Sequence, residues 1–365
     1  MNNYNFKITI LDRYIIKKFI GTFFFALLLI IGIVIIFDIS EKIDDFVDKE
    51  APLDEIIFNY YLNFIPYFMN MFSPLFVFIT VIFFTSKLAA NSEIVAILAG
   101  GISFKRLMYP YFISAAAIAV FSLALNLFVI PPANKGRLGF ENRYIKKKFE
   151  NTNRNMHYQI SPGTFMYGES FRTWDNTINK FTLETIEDHN LVSKLSAETA
   201  AWDTTKDCWR LNNYHLRQFI NNTEVIKTGQ TLDTAIVITI DDFYRKKNVV
   251  ETLNYVELNE LIETQKMRGD QMVKYALIEK HTRFAMPFSA FILTLIGVSL
   301  SSKKRRGGIG MNIGIGIALS FSYILFLRFS QMFVHTGALP PGIALWLPNF
   351  LYAIIAVFLY RIAPK

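Results

Sequence analysis

The run Phe19–Phe37, FIGTFFFALLLIIGIVIIF, holds no charged residue, and its reading decides the rest of the chain. It is long enough to cross a hydrocarbon layer as one helix, which takes roughly 20 apolar residues. Basic residues precede it (Arg13, Lys17, Lys18), as in a secretory signal. The apolar run is too long for one, however, and acidic residues follow it instead of a small-residue cleavage site. It reads as a retained membrane anchor.

Further charge-free runs follow. They are Ile56–Ser86, Leu107–Asn134, Phe284–Ser302, Gly307–Leu327 with Arg328 at its far end, and a last one within Phe329–Tyr360 after a break at Gly337–Gly342. That predicts six spans, three on each side of a polar stretch from about Lys135 to Arg283. The composition agrees. Hydrophobic residues make up 52% and charged residues 19% of 365, with 35 Phe, too few charges to cover a soluble protein of this size. The single cysteine, Cys208, excludes an intrachain disulfide and a cysteine-based metal cluster.

Lys and Arg in short loops set the orientation. They occur before the first span, after the second (Lys87, Lys105, Arg106), after the fourth (Lys303–Arg306) and at the end (Arg361, Lys365). The loop after the first span is acidic, and the loop after the fifth has neither Lys nor Arg. This predicts cytoplasmic termini and a polar domain outside. The net charge of +8 is partly this topology signal and partly a cluster from Lys135 to Lys148 on the other face.

Within the polar stretch, Thr164–Phe171, Asn179–Ile186, Cys208–Phe219 and Thr234–Ile240 alternate in part between apolar and polar residues. Asp, Asn and Gly clusters separate them. They predict a small antiparallel β domain, a sandwich or jelly roll. Tyr255–His281 turns helical and is expected to run straight into the fourth span.

Several chemistries lack their motifs. There is no phosphate-cradling G-x-x-x-x-G-K-[ST], no H-E-x-x-H among the five scattered His, and no G-x-S-x-G. The glycine-rich Arg305–Gly316 follows a membrane helix, where Gly310 and Gly314 suit close helix packing. Proton-driven carriers bury carboxylates or His in their spans; here Arg328 stands out instead, either snorkelling to the headgroups or contacting an anionic lipid.

Two segments have the look of interfaces. Ser86–Leu107 predicts a short helix with Ser92 as N-cap, a stop at Gly100-Gly101, an apolar side of Ile94, Val95, Ile97 and Leu98, and Glu93 in its first turn. It suits a helix lying on the bilayer or one docking into a cytoplasmic motor. In Ile130–Glu150 a helix break is expected at Pro131-Pro132. Lys135, Arg137, Arg143, Lys146, Lys147 and Lys148 follow, as a solvated basic face or a phosphate-recognising one.

Four stretches then resemble one family: Leu11–Phe23 (LDRYIIKKFIGTF), Asn91–Ser103 (NSEIVAILAGGIS), His281–Gly308 and Gly337–Tyr352. The chain is similar, over nearly its whole length, to the YjgP/YjgQ family, the permease subunits of the lipopolysaccharide export ABC transporter. The resemblance implies a membrane α-helical fold of six helices, 3+3, with an inserted periplasmic all-β, jelly-roll-like domain. The expected division is 1–134 for the first three spans, with a coupling helix at about 91–100. The β domain takes 135–265, and a connecting helix with the last three spans takes 266–365. It further implies a multi-pass protein of the bacterial inner membrane. Its partners would be a cytoplasmic ABC ATPase dimer, a second related permease, a periplasmic bridge protein and a single-span regulatory subunit. The chain itself would hold no cofactor, since ATP and Mg²⁺ belong to the ATPase. Lipopolysaccharide would leave the outer leaflet of the inner membrane and pass through the β domain. The coupling residues would be Glu93, Ile94, Ile97 and Leu98. The lipid-facing cations would be Lys42, Arg137 and Arg143, matched by location, with Arg328. The competing readings are an ion-coupled secondary transporter and an envelope-lipid-modifying enzyme.

Overall fold

Thr9 and Asp12 open the first helix with a reciprocal capping box: the Thr9 hydroxyl accepts from the Asp12 amide at 3.3 Å, and the Thr9 amide donates to Asp12 Oδ2 at 2.8 Å. The computed structural model describes residues 8–145, 154–220, 223–236, 238–244, 247–270, 272–302 and 308–363. The basic residues Lys146–Lys148 and Lys303–Arg306 lie outside the described residues.

Helix α1 spans Ile10–Asp48. A π-helical turn, Glu55–Tyr61, leads into α2, Leu62–Ala90. After the short α3, Glu93–Ala99, comes α4, Phe104–Ala124. A π-helical stretch, Leu125–Val129, joins it to α5, Ile130–Phe140, and another ends the helix at Ile145. The expected break at Pro131-Pro132 does not occur. The prolines fall in the first turn of α5, where a missing N–H breaks no helical bond. The π-helical residues just ahead, with their longer-range bonding, take up the change in register.

Among the described residues six helices are long and apolar enough to cross a membrane. The other three are α8 (Val273–Ser301), α9 (Gly308–Thr336) and α10 (Pro341–Ile362). The fifth runs on past Arg328 to Thr336. Hydrocarbon offers no hydrogen bonds, so each span satisfies its own backbone as helix. The spans containing α2 and α8 are 61% and 67% buried, against 22% for α1 and 28% for α9. The former pair therefore makes the interior of the bundle. In α1, Ile15, Phe19, Phe23, Leu27 and Ile31, each four residues from the last, bury one stripe.

The second unit takes in 146–250 and 256–276, apart from the helical unit. Its strands are β1 (Arg154–Ser161), β2 (Thr164–Arg172), β3 (Thr177–Glu187), β4 (Asn190–Asp203), β5 (Cys208–Ile220) and β6 (Thr223–Thr234). They form one antiparallel sheet in sequence order. The inserted all-β domain is as expected, and its described strands form a meander. Of the expected strand Thr234–Ile240, only Thr234 is in one, as the last residue of β6. Ile236 and Ile238 instead pack into the domain core, and the Ile238 carbonyl accepts from the buried Trp209 indole at 2.7 Å. Helix α6 (Ile240–Tyr244) then lays Phe243 against Phe171, ring centroids 4.6 Å apart.

The strand alternation is interrupted along one line across the sheet. Lys180 and Asn213 have positive φ, and the regular pairing skips them together with Glu169 and Glu198. Side chains facing the core change parity there, from Ile178 to Phe181 and from Ala200 to Ala197, while the pairing register stays the same on both sides of the skipped residues. Glu169 pairs with Lys180 at 3.0 Å, and Asn213 donates to Glu198 at 2.7 Å.

Helix α7 (Tyr255–Arg268) does not continue into the fourth span. Gly269, with φ of 66°, ends it, and Asp270 accepts from the Met272 amide at 2.9 Å ahead of α8.

The approach of α8 to α2 gives a test. A Cβ on Gly297 would lie 2.9 Å from Val81 Cγ1 and 3.2 Å from Phe78 Cδ2, whereas one on Gly32 meets nothing within 4 Å. Gly297→Val is expected to cost about 1–3 kcal/mol by overpacking. Gly32→Ala should leave stability level or raise it by up to about 1 kcal/mol. Thermal unfolding in detergent reads both; equal midpoints would contradict the packing.

Candidate functional site

At one end of the helical unit α2 stops at Asn91, and Ser92 adopts a left-handed conformation, φ of 63°. That turn directs α3 away from the α2 axis. Ser92 occupies the N-cap position without the side-chain bond expected of it, and Gly100, then Gly101 with φ of 87°, end the helix. Ile94 is 1% exposed and packs in the main helical core with Ile97 and Leu98 against it, while Val95 is exposed. Glu93 is half-buried and accepts from Asn91 Nδ2 at 3.2 Å. Three apolar anchors thus seat α3, and among the described residues its outer side, with Val95, is left uncovered.

At the opposite end of the bundle the structure separates the four lipid-facing candidates. Lys42 bonds to Asp38 and to the Tyr60 hydroxyl, and Asp38 also accepts from Tyr60 and Tyr61 at 3.0 and 3.1 Å. Arg143 is 65% exposed in its side chain and reaches Glu55 at 3.2 Å. Arg137 is 8% exposed. It donates to Asn134 at 3.2 Å and Glu141 at 3.1 Å, lies 3.6 Å from Glu251 and sits over the Tyr67 ring at 4.6 Å. Arg328 is exposed on α9, 3.4 Å from Gln331.

Of the two alternatives for this basic segment, a solvated face is not what forms at Arg137. Its carboxylate partners satisfy the guanidinium inside the unit, as a buried charge requires. Glu251 was missed by sequence reasoning. It lies in a 3₁₀ turn, Lys247–Thr252, 114 positions beyond Arg137, and only the folded chain brings the two together. The Glu251 carbonyl accepts from Asn134 Nδ2 at 3.3 Å, giving a second tie between this segment and α5. Asp12 and Arg106, near the α3 end, also went unremarked; they form a bidentate pair with both bonds at 2.6 Å.

The family model described as "Lipopolysaccharide export system permease LptF/LptG" matches residues 13–362. The chain belongs to that family. No curated protein matches it closely enough to add a relative. As an LptF/LptG permease it is a multi-pass membrane protein and a transport subunit in lipopolysaccharide export rather than an enzyme. Six apolar helices and a β domain inserted between the third and fourth suit that membership.

Glu251 supplies a pH test of the segment that returns the chain from the β domain. Burial, reinforced by the Glu279 carboxylate and opposed by Arg137, raises its carboxyl from the usual 4.5 to about 7. The folded state therefore holds this proton where the unfolded chain has released it. Stability falls as pH rises from about 4.5 to about 7 and is level outside that window. In detergent, the unfolding midpoint of the wild type should decline across this range, and Glu251→Gln should flatten the decline. A decline equally steep in the variant would assign the titration to another group.

Proposed function

We propose that this permease is one half of a two-permease, ATP-driven extractor of lipopolysaccharide. It takes the lipid from the outer leaflet of the inner membrane and passes it through its β domain toward a periplasmic bridge. The termini and α3 face the cytoplasm, and the β domain faces the periplasm, as the distribution of Lys and Arg supports. ATP and Mg²⁺ are bound by a separate ATPase dimer. A second permease, the bridge protein and a single-span regulatory subunit complete the assembly.

The observation that carries this reading is α3. A seven-residue helix with Ile94 locked in the core and Val95 exposed is a lever fixed on one side and available on the other. We assign docking to Glu93, with Ile94, Ile97 and Leu98 holding the helix in place. Of the four cations, Arg143 and Arg328 are the accessible ones and meet the phosphorylated headgroup first. Lys42 and Arg137 act from within, after exchanging their present carboxylate partners for phosphate.

The energetics suit such a device. Exposing acyl chains to water costs about 0.8 kcal/mol per CH₂, so extraction requires both an outside energy source and a continuous apolar route. The apolar inner face of the β domain, with Phe181, Leu195 and Leu211 in its core, gives one part of that route.

Affinity purification of the chain from its native membrane should bring down a small P-loop ATPase. Glu93→Lys should lower ATPase recovery by about tenfold or more, the loss expected when one polar contact at a docking surface is replaced by a repulsive one. Purification of the chain alone, or undiminished recovery with Glu93→Lys, would overturn the docking assignment.

A further inference from the structure

The Asp12–Arg106 pair has no part in the function argued so far, yet its location is singular. Asp12 is 0% exposed. Arg106 donates through both terminal nitrogens to the two Asp12 oxygens, each at 2.6 Å, the planar fork that Arg alone provides. Asp12 lies in the first turn of α1, and its Oδ2 also accepts from the Thr9 amide and hydroxyl at 2.8 Å. Arg106 lies in the first turn of α4, where its own amide donates to the Ser103 cap at 3.3 Å. Each end of the pair is thus fixed to the N-terminus of a helix.

Helix α3 joins α4 through Gly100–Ser103. Any displacement of α3 reaches the rest of the bundle through its apolar seat and through this short link. The start of α4 is clamped to α1 by the ion pair. Beside the pair is an open cavity of about 710 Å³, lined by Ile8, Leu11, Ile15, Ile102 and Leu107 among others. Ile15 and Leu107 are buried in the helical core on the inner side of this cavity, and at the helix ends themselves the charge pair bridges α1 and α4.

We propose that Asp12 and Arg106 are positioning residues that couple α3 to α1, so that movement imposed on α3 becomes movement of the first span rather than being lost in the α3–α4 link. The proposal rests on the reading of α3 as the ATPase docking helix. It assigns the pair to force transmission, beyond the docking surface itself. A bidentate pair suits this because it resists rotation as well as separation, which a single hydrogen bond does not.

Variants separate transmission from folding. Asp12→Asn keeps an acceptor for the Thr9 cap and removes the charge, while Arg106 can turn toward solvent. Asp12→Glu keeps the charge and the capping-box chemistry. Asp12→Asn/Arg106→Gln removes both charges, so that neither is left buried alone. The complex with the co-purifying ATPase is placed in lipopolysaccharide-containing proteoliposomes, and ATP hydrolysed and lipid released are measured together. We expect Asp12→Asn to assemble normally and hydrolyse ATP, with lipid released per ATP reduced by about tenfold, within the usual range of coupling effects. Asp12→Glu should restore at least half of the wild-type ratio. The double variant should be no worse than Asp12→Asn, because one interaction is lost in each.

A wild-type ratio in Asp12→Asn, or a loss of release that merely tracks complex yield, would overturn the proposal. So would a double variant whose defect is the product of two independent ones. Failure of the docking reading has a different signature: the wild type recovers no ATPase, or Glu93→Lys leaves recovery unchanged. If only the Asp12 variants behave as wild type while Glu93→Lys releases the ATPase, the docking reading stands and the brace does not.

Discussion

Hydrocarbon cannot hydrogen-bond, and the helical unit is organised around that fact. Each span closes its backbone bonds on itself, and three buried asparagines inside find partners on other helices. Asn70 donates to Asn126 at 2.8 Å and accepts from Ser122 at 2.6 Å. Asn312 donates to Ser86 at 3.0 Å. Asn349 accepts from Tyr323 at 2.9 Å and donates to the Ala285 carbonyl at 2.8 Å. Apolar helix faces alone slide easily in lipid; directional bonds between small polar groups fix which residue meets which. The last three spans are pinned together in this way, and α2 is pinned to α4 and α9.

Charges are handled by the same rule at the two ends of the bundle. Where a charge is buried, its partner is built in: Arg137 with Glu141 and Glu251, and the fully buried Asp12 with the half-buried Arg106. Where it is exposed, the partner is a single carboxylate reached by a long side chain, as for Arg143 with Glu55. An exposed pair of that kind is screened by water and worth little, so an incoming phosphate displaces it at small cost. The buried pairs cost several kcal/mol to break. The structure thus contains cations that change partners at small cost and cations that do so only at large cost, and residue type alone does not distinguish them.

That difference marks what could be read in the sequence. The six spans are legible because a run without charges has one physical use at such length, and the inserted β domain is legible from short alternating runs. Elsewhere local pattern is overridden by bonds that connect distant positions. Pro131-Pro132 reads as a break, yet falls where a π-helical stretch has already shifted the bonding frame. Thr234–Ile240 reads as a strand, yet Trp209 claims the Ile238 carbonyl. The β alternation is only partial because left-handed residues at Lys180 and Asn213 reverse the parity in mid-strand. Arg137 reads as solvated because Glu251 lies far beyond it in the chain.

The exposure of α1 adds a last constraint. Its buried stripe faces the bundle, whereas Phe25, Leu28, Leu29, Ile36 and Phe37 remain open on other sides. In a membrane such a face touches acyl chains, whether of bulk lipid or of a lipid being moved, at no hydrophobic cost. Work is needed only where the amphiphile leaves that environment. A helix that is loosely covered along its length, yet held at its start by Asp12 and near its end by the Asp38–Lys42 group, can shift as a rigid rod without exposing polar backbone. The loosely packed helix is therefore the one best able to move, and the Asp12–Arg106 pair at its start and the bonds of Asp38 and Lys42 to Tyr60 and Tyr61 near its end determine what it moves with.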